Sequence, residues 1–446
     1  MRCATPAPRM QSSKVVPLNP PTSVQPVPAA ATRPRNVALA GLVSLAVAMG
    51  IGRFAFTPLL PMMLHDGVLD LAAGSWLASV NYLGYLVGAV LCTFQPWIWA
   101  RVPALPAVRH TSWIRLGLGA TCVLTLAMAL QWPWAWPWLR FASGLASALA
   151  FVFTSGWCLA RLASLGRPGW GGLIYVGPGA GITLSGLIAS GMVALDWRAA
   201  WGWGVFGLLA CGLVVLVWPI LGSPQQPPLA AAAAPAQAAA AVPPENHRSQ
   251  KLLLALAYGL SGFGYIITAT FLPVIARDAM PGSFWLDLFW PMLGLGVMAG
   301  ALLATRFPMH IDRRYLLAGS YLVQALGVAA GAWSPTLAGF VLGSLLVGLP
   351  FTALTLFAMQ EARRLAPVSP ASFIGLITAM YGLGQILGPL MVPWVMRHSS
   401  SRAEGFTTSL EVAAAVLVLG ALMYLFMAWR YPLAPRGISG SSGRRP

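Results

Sequence analysis

Charge is what this sequence has least of. Only 8% of its 446 residues are Asp, Glu, Lys or Arg, about a third of the roughly 25% that soluble proteins carry. Too few polar groups remain to clothe a water-facing surface, which excludes a cytosolic enzyme. Disorder is excluded for the bulk of so apolar a chain. Acidic residues are scarcest, ten against 27 Lys and Arg, for a net charge of +17. A basic excess serves nucleic acid only when gathered on one water-facing surface. Here it is broken into short pieces between apolar runs, so no nucleic-acid partner is expected. Cysteine is also sparse. Cys3 lies near the start, and Cys92, Cys122, Cys158 and Cys211 lie within apolar runs, with neither even pairing nor metal-ligand spacing. They are read as small packing residues, and no metal is expected. No nucleotide-binding loop or catalytic triad occurs in a plausible context, so no cofactor is expected either. Any energy source must be an ion gradient or the solute's own gradient.

What fills the chain is apolar sequence: 58% of residues are hydrophobic and the mean hydropathy is +0.73. A membrane-crossing helix needs about 20 mostly apolar residues, and twelve such runs are present. They are Val37–Met63, Trp76–Trp97, Ser112–Gln131, Pro137–Leu159, Gly171–Leu195 and Ala199–Leu221. After a gap come Leu252–Ile275, Phe284–Thr305, Tyr315–Trp333, Thr336–Met359, Ser372–Met396 and Thr408–Trp429. They are too long for the strands of a membrane barrel. The sequence therefore predicts an all-α membrane protein whose partner is the lipid bilayer.

Residues 1–36 hold eight prolines and read as a disordered tail, as does 431–446. The run after the first tail is too long for a signal peptide and lacks a cleavage site. Residues 222–250 are Pro/Ala-rich and read as a flexible linker. It separates a six-helix unit, 37–221, from a second, 251–430. With the amino terminus in the cytoplasm, the outer loops hold only Arg198, Arg277, Arg397 and Arg402. Apart from Arg53 and Arg140 within spans, every other Lys and Arg is inside. This bias predicts both termini, the tails and the linker in the cytoplasm, and the chain is read as a bacterial inner-membrane protein.

The two units repeat. Gly50-Ile51-Gly52-Arg53 with Leu60-Pro61 matches Gly262-Phe263-Gly264-Tyr265 with Leu272-Pro273 at one offset of 212, and Gly179-Ala180-Gly181 has a counterpart in Gly382-Leu383-Gly384. Two parallel six-helix halves around a midplane site is a transporter plan. The sequence resembles the major facilitator superfamily, and within it the YbfB/YjiJ-type branch. The residues that carry this are Gly52-Arg53-Phe54-Ala55-Phe56-Thr57-Pro58-Leu59-Leu60-Pro61, Asn81-Tyr82-Leu83-Gly84-Tyr85, Gly262-Phe263-Gly264-Tyr265-Ile266-Ile267, Thr270-Phe271-Leu272-Pro273 and Gly384-Gln385-Ile386-Leu387-Gly388-Pro389. The resemblance spans about residues 37–430. It implies two pseudo-symmetric bundles, with the first, fourth, seventh and tenth spans lining a cavity. Arg140 with Gly144 is similar to an Arg-x-x-x-Gly pattern of the superfamily. Gly177-Pro178 with Gly181 partly matches its antiporter motif. The usual acidic and basic signature after the second span is missing, and Asp312-Arg313-Arg314 is its remnant after the eighth.

Arg53 and Arg140 stand well inside the spans. An arginine near the bilayer centre costs roughly 2.5–3.5 kcal/mol on insertion scales, so each needs a cavity or a partner. Paired guanidinium forks suit an anionic group, above all a carboxylate; the plainer role is to satisfy helix carbonyls. Asn81, Tyr82 and Tyr85 are spaced to share a helix face, and Tyr381 and Gln385 repeat that arrangement. With Tyr265 and Thr270 they complete the expected substrate-binding set, although such groups also serve to bond neighbouring helices. Asp287 is the candidate for proton coupling. Gly177, Pro178, Gly181, Gly388 and Pro389 are candidates for helix bending or for close packing. Asp312, Arg313, Glu361 and Arg364 are read as a cytoplasmic gate. The reading is a monomeric secondary transporter of a small organic solute, anionic or zwitterionic, working by alternating access with protons as candidate coupling ion. The alternatives are a multidrug efflux antiporter, supported by aromatic-rich spans, and from another class a non-transporting receptor or membrane-embedded enzyme.

Overall fold

The computed structural model describes residues 33–102, 109–222, 248–280, 282, 284–308, 311–367 and 370–433. Among them there is no strand, and twelve helices are long and apolar enough to cross a membrane. They are α1 Pro34–His65, α2 Leu71–Gln95, α3 His110–Leu130, α4 Trp136–Ser164, α5 Pro168–Ala194, α6 Ala199–Val217, α7 Arg248–Ala279, α8 Trp285–Ala304, α9 Arg313–Trp333, α10 Leu337–Leu365, α11 Phe373–Arg397 and α12 Arg402–Arg430. Helix starts carry the expected chemistry. Pro34 opens α1, where a missing N–H costs nothing. The Asp70 and Ser401 side chains accept from Ala73 and Glu404 N–H. Most of the tails and the linker lie outside the described residues, but α1 begins at Pro34 and α7 at Arg248, so each takes in the last three residues of the segment before it.

Neighbouring spans run in opposite directions, which sorts the charges between two ends. Arg33, Arg101, Arg109, Arg161, Arg313 and Arg364 share what we term the basic end. Asp66, Asp70, Asp196, Asp278 and Asp287 lie at the opposite, far end. The outward surface is Leu, Val and Trp, with Val123, Leu208 and Val215 each more than 60% exposed. Such a surface suits hydrocarbon, and the bundle is a multi-pass membrane protein.

In lipid, helices associate by close packing, so small residues mark the crossings. A Cβ on Gly50 would lie 2.3 Å from Gly181 Cα, where α1 crosses α5; a Cβ on Gly384 would lie 2.2 Å from Gly259 O, where α11 crosses α7. The repeat read from the sequence is thus realised as equivalent crossings. Gly84 and Gly144 make the α2–α4 crossing, each with 2.0 Å from an added Cβ to the partner's carbonyl oxygen, and Gly348 plays the same part against Leu293 O of α8. Gly348 is therefore the counterpart of Gly144, whereas Gly343 faces α9 at Gly327 O. The halves meet where Thr57 Oγ1 donates to Ala269 O at 2.8 Å. These positions differ by the repeat offset, 212, as contacts across a pseudo-twofold axis would.

Candidate substrate-binding site

The site begins with a fault in α1. Helix Pro34–Leu45 passes into a π-turn at Ala46–Ile51, with Gly52 N–H bonded to Val47 O and Phe54 N–H to Met49 O; α-helix resumes only at Phe56. Pro58 and Pro61 follow and can donate no backbone bond. Carbonyls at such a break need outside donors, and α4 supplies them. Ser143 Oγ donates to Gly52 O at 2.8 Å, and Arg140 Nη2 to Arg53 O at 3.3 Å. Asn81 Nδ2 in turn donates to Arg140 O at 2.9 Å. Arg140 is 2% exposed and lies over the Phe56 ring at 4.7 Å. The equivalent stretch of α7 is unbroken helix from Arg248 to Ala279. The sequence repeat therefore hides a difference in backbone, which no spacing of residues announced.

Arg53, 3% exposed, projects from this break into a box of rings. Its guanidinium carbon lies 3.9 Å from the Tyr85 ring centroid, 5.1 Å from Tyr82 and 5.4 Å from Phe54. Cation–ring contacts of this kind stabilise a desolvated guanidinium by about 2 kcal/mol. Arg53 Nη2 donates to Gln385 Oε1 of α11 at 2.7 Å, and Gln385 Nε2 donates to the Tyr265 hydroxyl of α7. Tyr82 and Thr270 share a hydroxyl–hydroxyl bond of 3.0 Å. Tyr381 stacks between Tyr258 at 4.7 Å and Tyr265 at 5.8 Å. All nine residues of the expected substrate-binding set thus belong to one connected network at mid-depth. No carboxylate among the described residues pairs with Arg53 or Arg140, and the Nε of each has no partner.

Asn81, Tyr82 and Tyr85 do not act as one face, as their spacing alone suggested. Asn81 turns to α4, Tyr82 to α7 and Tyr85 to Arg53. Three participants were not singled out from the sequence. Tyr258 stands seven residues before Tyr265, two helical turns along the same face, so that spacing was a usable signal. Ser143 and Phe351, the latter edge-on to Tyr265 at 5.2 Å, carried none.

Among the described residues, six hydrogen bonds join the halves: Arg53–Gln385, Thr57–Ala269 O, Tyr82–Thr270, Ser79–Ile386 O, Thr183–Pro291 O and Ser190–Asp287 O. All six lie between mid-depth and the far end. Asp287 sits near that end, ion-paired with Arg277 of its own half. Gly177 packs against Leu42 O and Gly181 against Gly50 and Ala46 O. Gly388 lies on Ile266, and α11 continues as helix through Pro389. In this conformation the three glycines pack closely.

The basic-end charges form two clamps within the second half. Glu361, 1% exposed, receives two bonds from Arg364 of the same helix, and Arg364 also reaches Gln250 at 3.2 Å. Asp312 pairs with Arg314 at 2.6 Å, whereas Arg313 donates to Pro308 O. The fully buried Arg314 further binds Met427 O of α12 and Tyr431 O just past its end, at 3.0 and 2.7 Å. Burial pushes the Asp312 carboxyl up, but the bonds and charge of Arg314 outweigh it and hold it below the usual carboxylate range. Its stabilisation is therefore present above the unfolded value of about 3.9 and is lost as pH falls through the lower folded value. Asp312→Asn should cost about 3 kcal/mol, the lower end for breaking a buried pair because two carbonyls still hold Arg314. Thermal melts of the purified protein against pH check this: the variant should melt lower at pH 7 and show a shallower acid limb.

Twelve helices in two repeated halves, meeting at a buried polar network, have the architecture of a membrane transporter. The chain belongs to the family described as uncharacterised MFS-type transporter YbfB, whose family model matches residues 45–425. Among solved structures it is similar to the nucleoside transporter NupG, at 15% identity and TM-score 0.63 over 88% of this chain and 98% of that one. A bacterial homolog to the human lysosomal transporter Spinster, in an inward-facing and unoccupied conformation, gives 14% identity and TM-score 0.64 over 89% and 97%. At these identities the likeness establishes the fold alone. No curated protein matches the chain.

Proposed function

We propose that this protein is a monomeric secondary transporter of a small organic anion or zwitterion in a bacterial inner membrane, with the basic end in the cytoplasm. The carrying observation is Arg53, a buried guanidinium on the seam between the halves with no carboxylate partner and an unsatisfied Nε. A buried cation without a counter-ion is costly unless a ligand compensates it. An anion held there sits on Arg53 of the first half beside the Tyr265 and Tyr381 rings of the second, as alternating access requires. The positive-inside bias supports the orientation. In that orientation the six cross-half bonds close the outer side. The test is a side-by-side screen of carboxylates, amino acids and cationic dyes in proteoliposomes, with and without Arg53. Efflux of drug-like compounds is the second reading, favoured by the Tyr258, Tyr265 and Tyr381 stack; dyes outperforming every carboxylate would select it.

Bringing a monovalent anion into a cell that is negative inside costs about 2.3 kcal/mol per 100 mV. Export is driven by that potential, whereas uptake needs at least one proton, carried on the solute or on Asp287. We assign Asp287 this role because Ser190, from the other half, bonds its backbone carbonyl, so its ion pair with Arg277 sits on the moving seam. Asp287→Asn should abolish the response of uptake to an imposed pH gradient while leaving solute exchange at about the native rate. An unchanged response would remove Asp287 from the coupling.

A further inference from the structure

We infer that the solute is an aryl carboxylate, a planar aromatic ring bearing a carboxylate, which replaces the Gln385 amide oxygen on Arg53 and lays its ring against the surrounding tyrosines. This rests on the reading of Arg53 as the anion anchor. The Gln385 oxygen is the first guide. It is an sp2 oxygen 2.7 Å from Nη2, the distance at which a carboxylate oxygen accepts from a guanidinium. Nη2 and Nε form one edge of the guanidinium, two parallel N–H groups that fit the two oxygens of a carboxylate. Gln385 fills only one of these donors, and Nε beside it is buried without a partner. The amide is half of what that edge can bind, so in the resting protein it stands in for the missing anion. Its other end is fixed by the bond to the Tyr265 hydroxyl.

The second guide is what surrounds this oxygen. Tyr265 and Tyr381 lie nearly parallel, 17° apart, and Phe351 stands edge-on to Tyr265 at 74°. Tyr85 lies beneath the guanidinium. Tyr258 and Tyr265 are buried, whereas Tyr85, Phe351 and Tyr381 retain accessible surface although each packs on this cluster. Aromatic rings that keep some accessible surface therefore stand beside an anion anchor. Rings prefer offset-stacked or edge-on neighbours over aliphatic ones of equal size, and a planar acid can satisfy the anchor and the stack together. A cation is repelled by Arg53, and a neutral ring leaves Nε unsatisfied.

The experiment is equilibrium binding of labelled benzoate to the full-length protein in lipid nanodiscs, with cyclohexanecarboxylate, acetate and benzylamine as competitors. Benzoate should bind about two- to tenfold more tightly than cyclohexanecarboxylate, the factor an aromatic pair supplies, and benzylamine should not compete. Tyr381→Leu should equalise the two ring acids, while Tyr381→Phe keeps the preference. Gln385→Ala should bind benzoate as well as the native protein or better, because the competitor on the Arg53 edge is gone. The inference is overturned if benzoate does not bind, if cyclohexanecarboxylate matches it, or if Gln385→Ala loses binding in a protein that still elutes as a single folded species. The anchor reading survives those results if acetate or cyclohexanecarboxylate binding disappears in Arg53→Ala. It falls only if carboxylates bind regardless of Arg53 or if benzylamine is preferred.

Discussion

Arg53→Ala should weaken anion binding by about 30-fold or more and abolish measurable transport, with folded protein still recovered from membranes. The magnitude is that of truncating one partner of a desolvated charge pair, about 2 kcal/mol or more. Folding should survive because the variant removes a lone cation from a dry site and leaves Gln385 held by Tyr265. The Arg53 carbonyl remains, so Arg140 keeps its acceptor. Arg53→Lys keeps the charge but loses the two-pronged edge, so it should bind less tightly yet retain some flux. Flux of the best anion in proteoliposomes, normalised to reconstituted protein, decides the matter. Native flux in Arg53→Ala would remove the anchor.

Gly84→Val should leave almost no folded protein. At the α2–α4 crossing even one added carbon lies 2.0 Å from Phe141 O, and Gly144 is equally tight against Asn81 O. A backbone carbonyl cannot swing aside as a side chain can, so the helices must part by more than an ångström. That separation breaks the bond from Asn81 to Arg140 O and moves Arg140 away from the carbonyl it serves at the fault in α1. Overpacking costs about 1–3 kcal/mol, and a stranded buried polar group adds about 1–3 kcal/mol more. Fluorescence size-exclusion of a tagged variant should show aggregate in place of the native peak. Gly119→Val, at a glycine with open space around it, is the matched control and should elute normally.

These two predictions differ in how much of their basis was legible in the sequence. The spans, the six-plus-six repeat and the two intramembrane arginines follow from hydropathy and spacing, because bilayer thickness fixes the length of a span and penalises charge within it. Gly50, Gly181 and Gly384 were readable as repeated small residues, and they do mark crossings. What was hidden depends on contacts between distant helices. That Arg53 meets Gln385, 332 positions away, needs α1 and α11 to adjoin. The π-turn at Ala46–Ile51 was hidden too, since Gly262 and Gly264 stand in an equivalent pattern yet α7 stays regular. The pairing of Asp312 with Arg314 rather than Arg313 goes with the end of α12, where the Met427 and Tyr431 carbonyls orient the Arg314 guanidinium. Glu361 and Arg364 sit on one helix and bridge no halves, because three residues of spacing bring them together first.

The Arg314 clamp has a practical side. Its shortest carbonyl contact is Tyr431 O, one residue beyond the last span. The end of the last span is therefore tied to the ninth helix, and anything attached directly there inherits the tie. A fluorescent reporter fused directly at Tyr431 would pull on an oxygen that helps to neutralise a fully buried cation, and its signal would report damage that it had itself caused. Retaining residues 432–446 as a spacer before the reporter leaves that carbonyl in place. Folding assays and purification tags for this transporter should be built with that spacer from the outset.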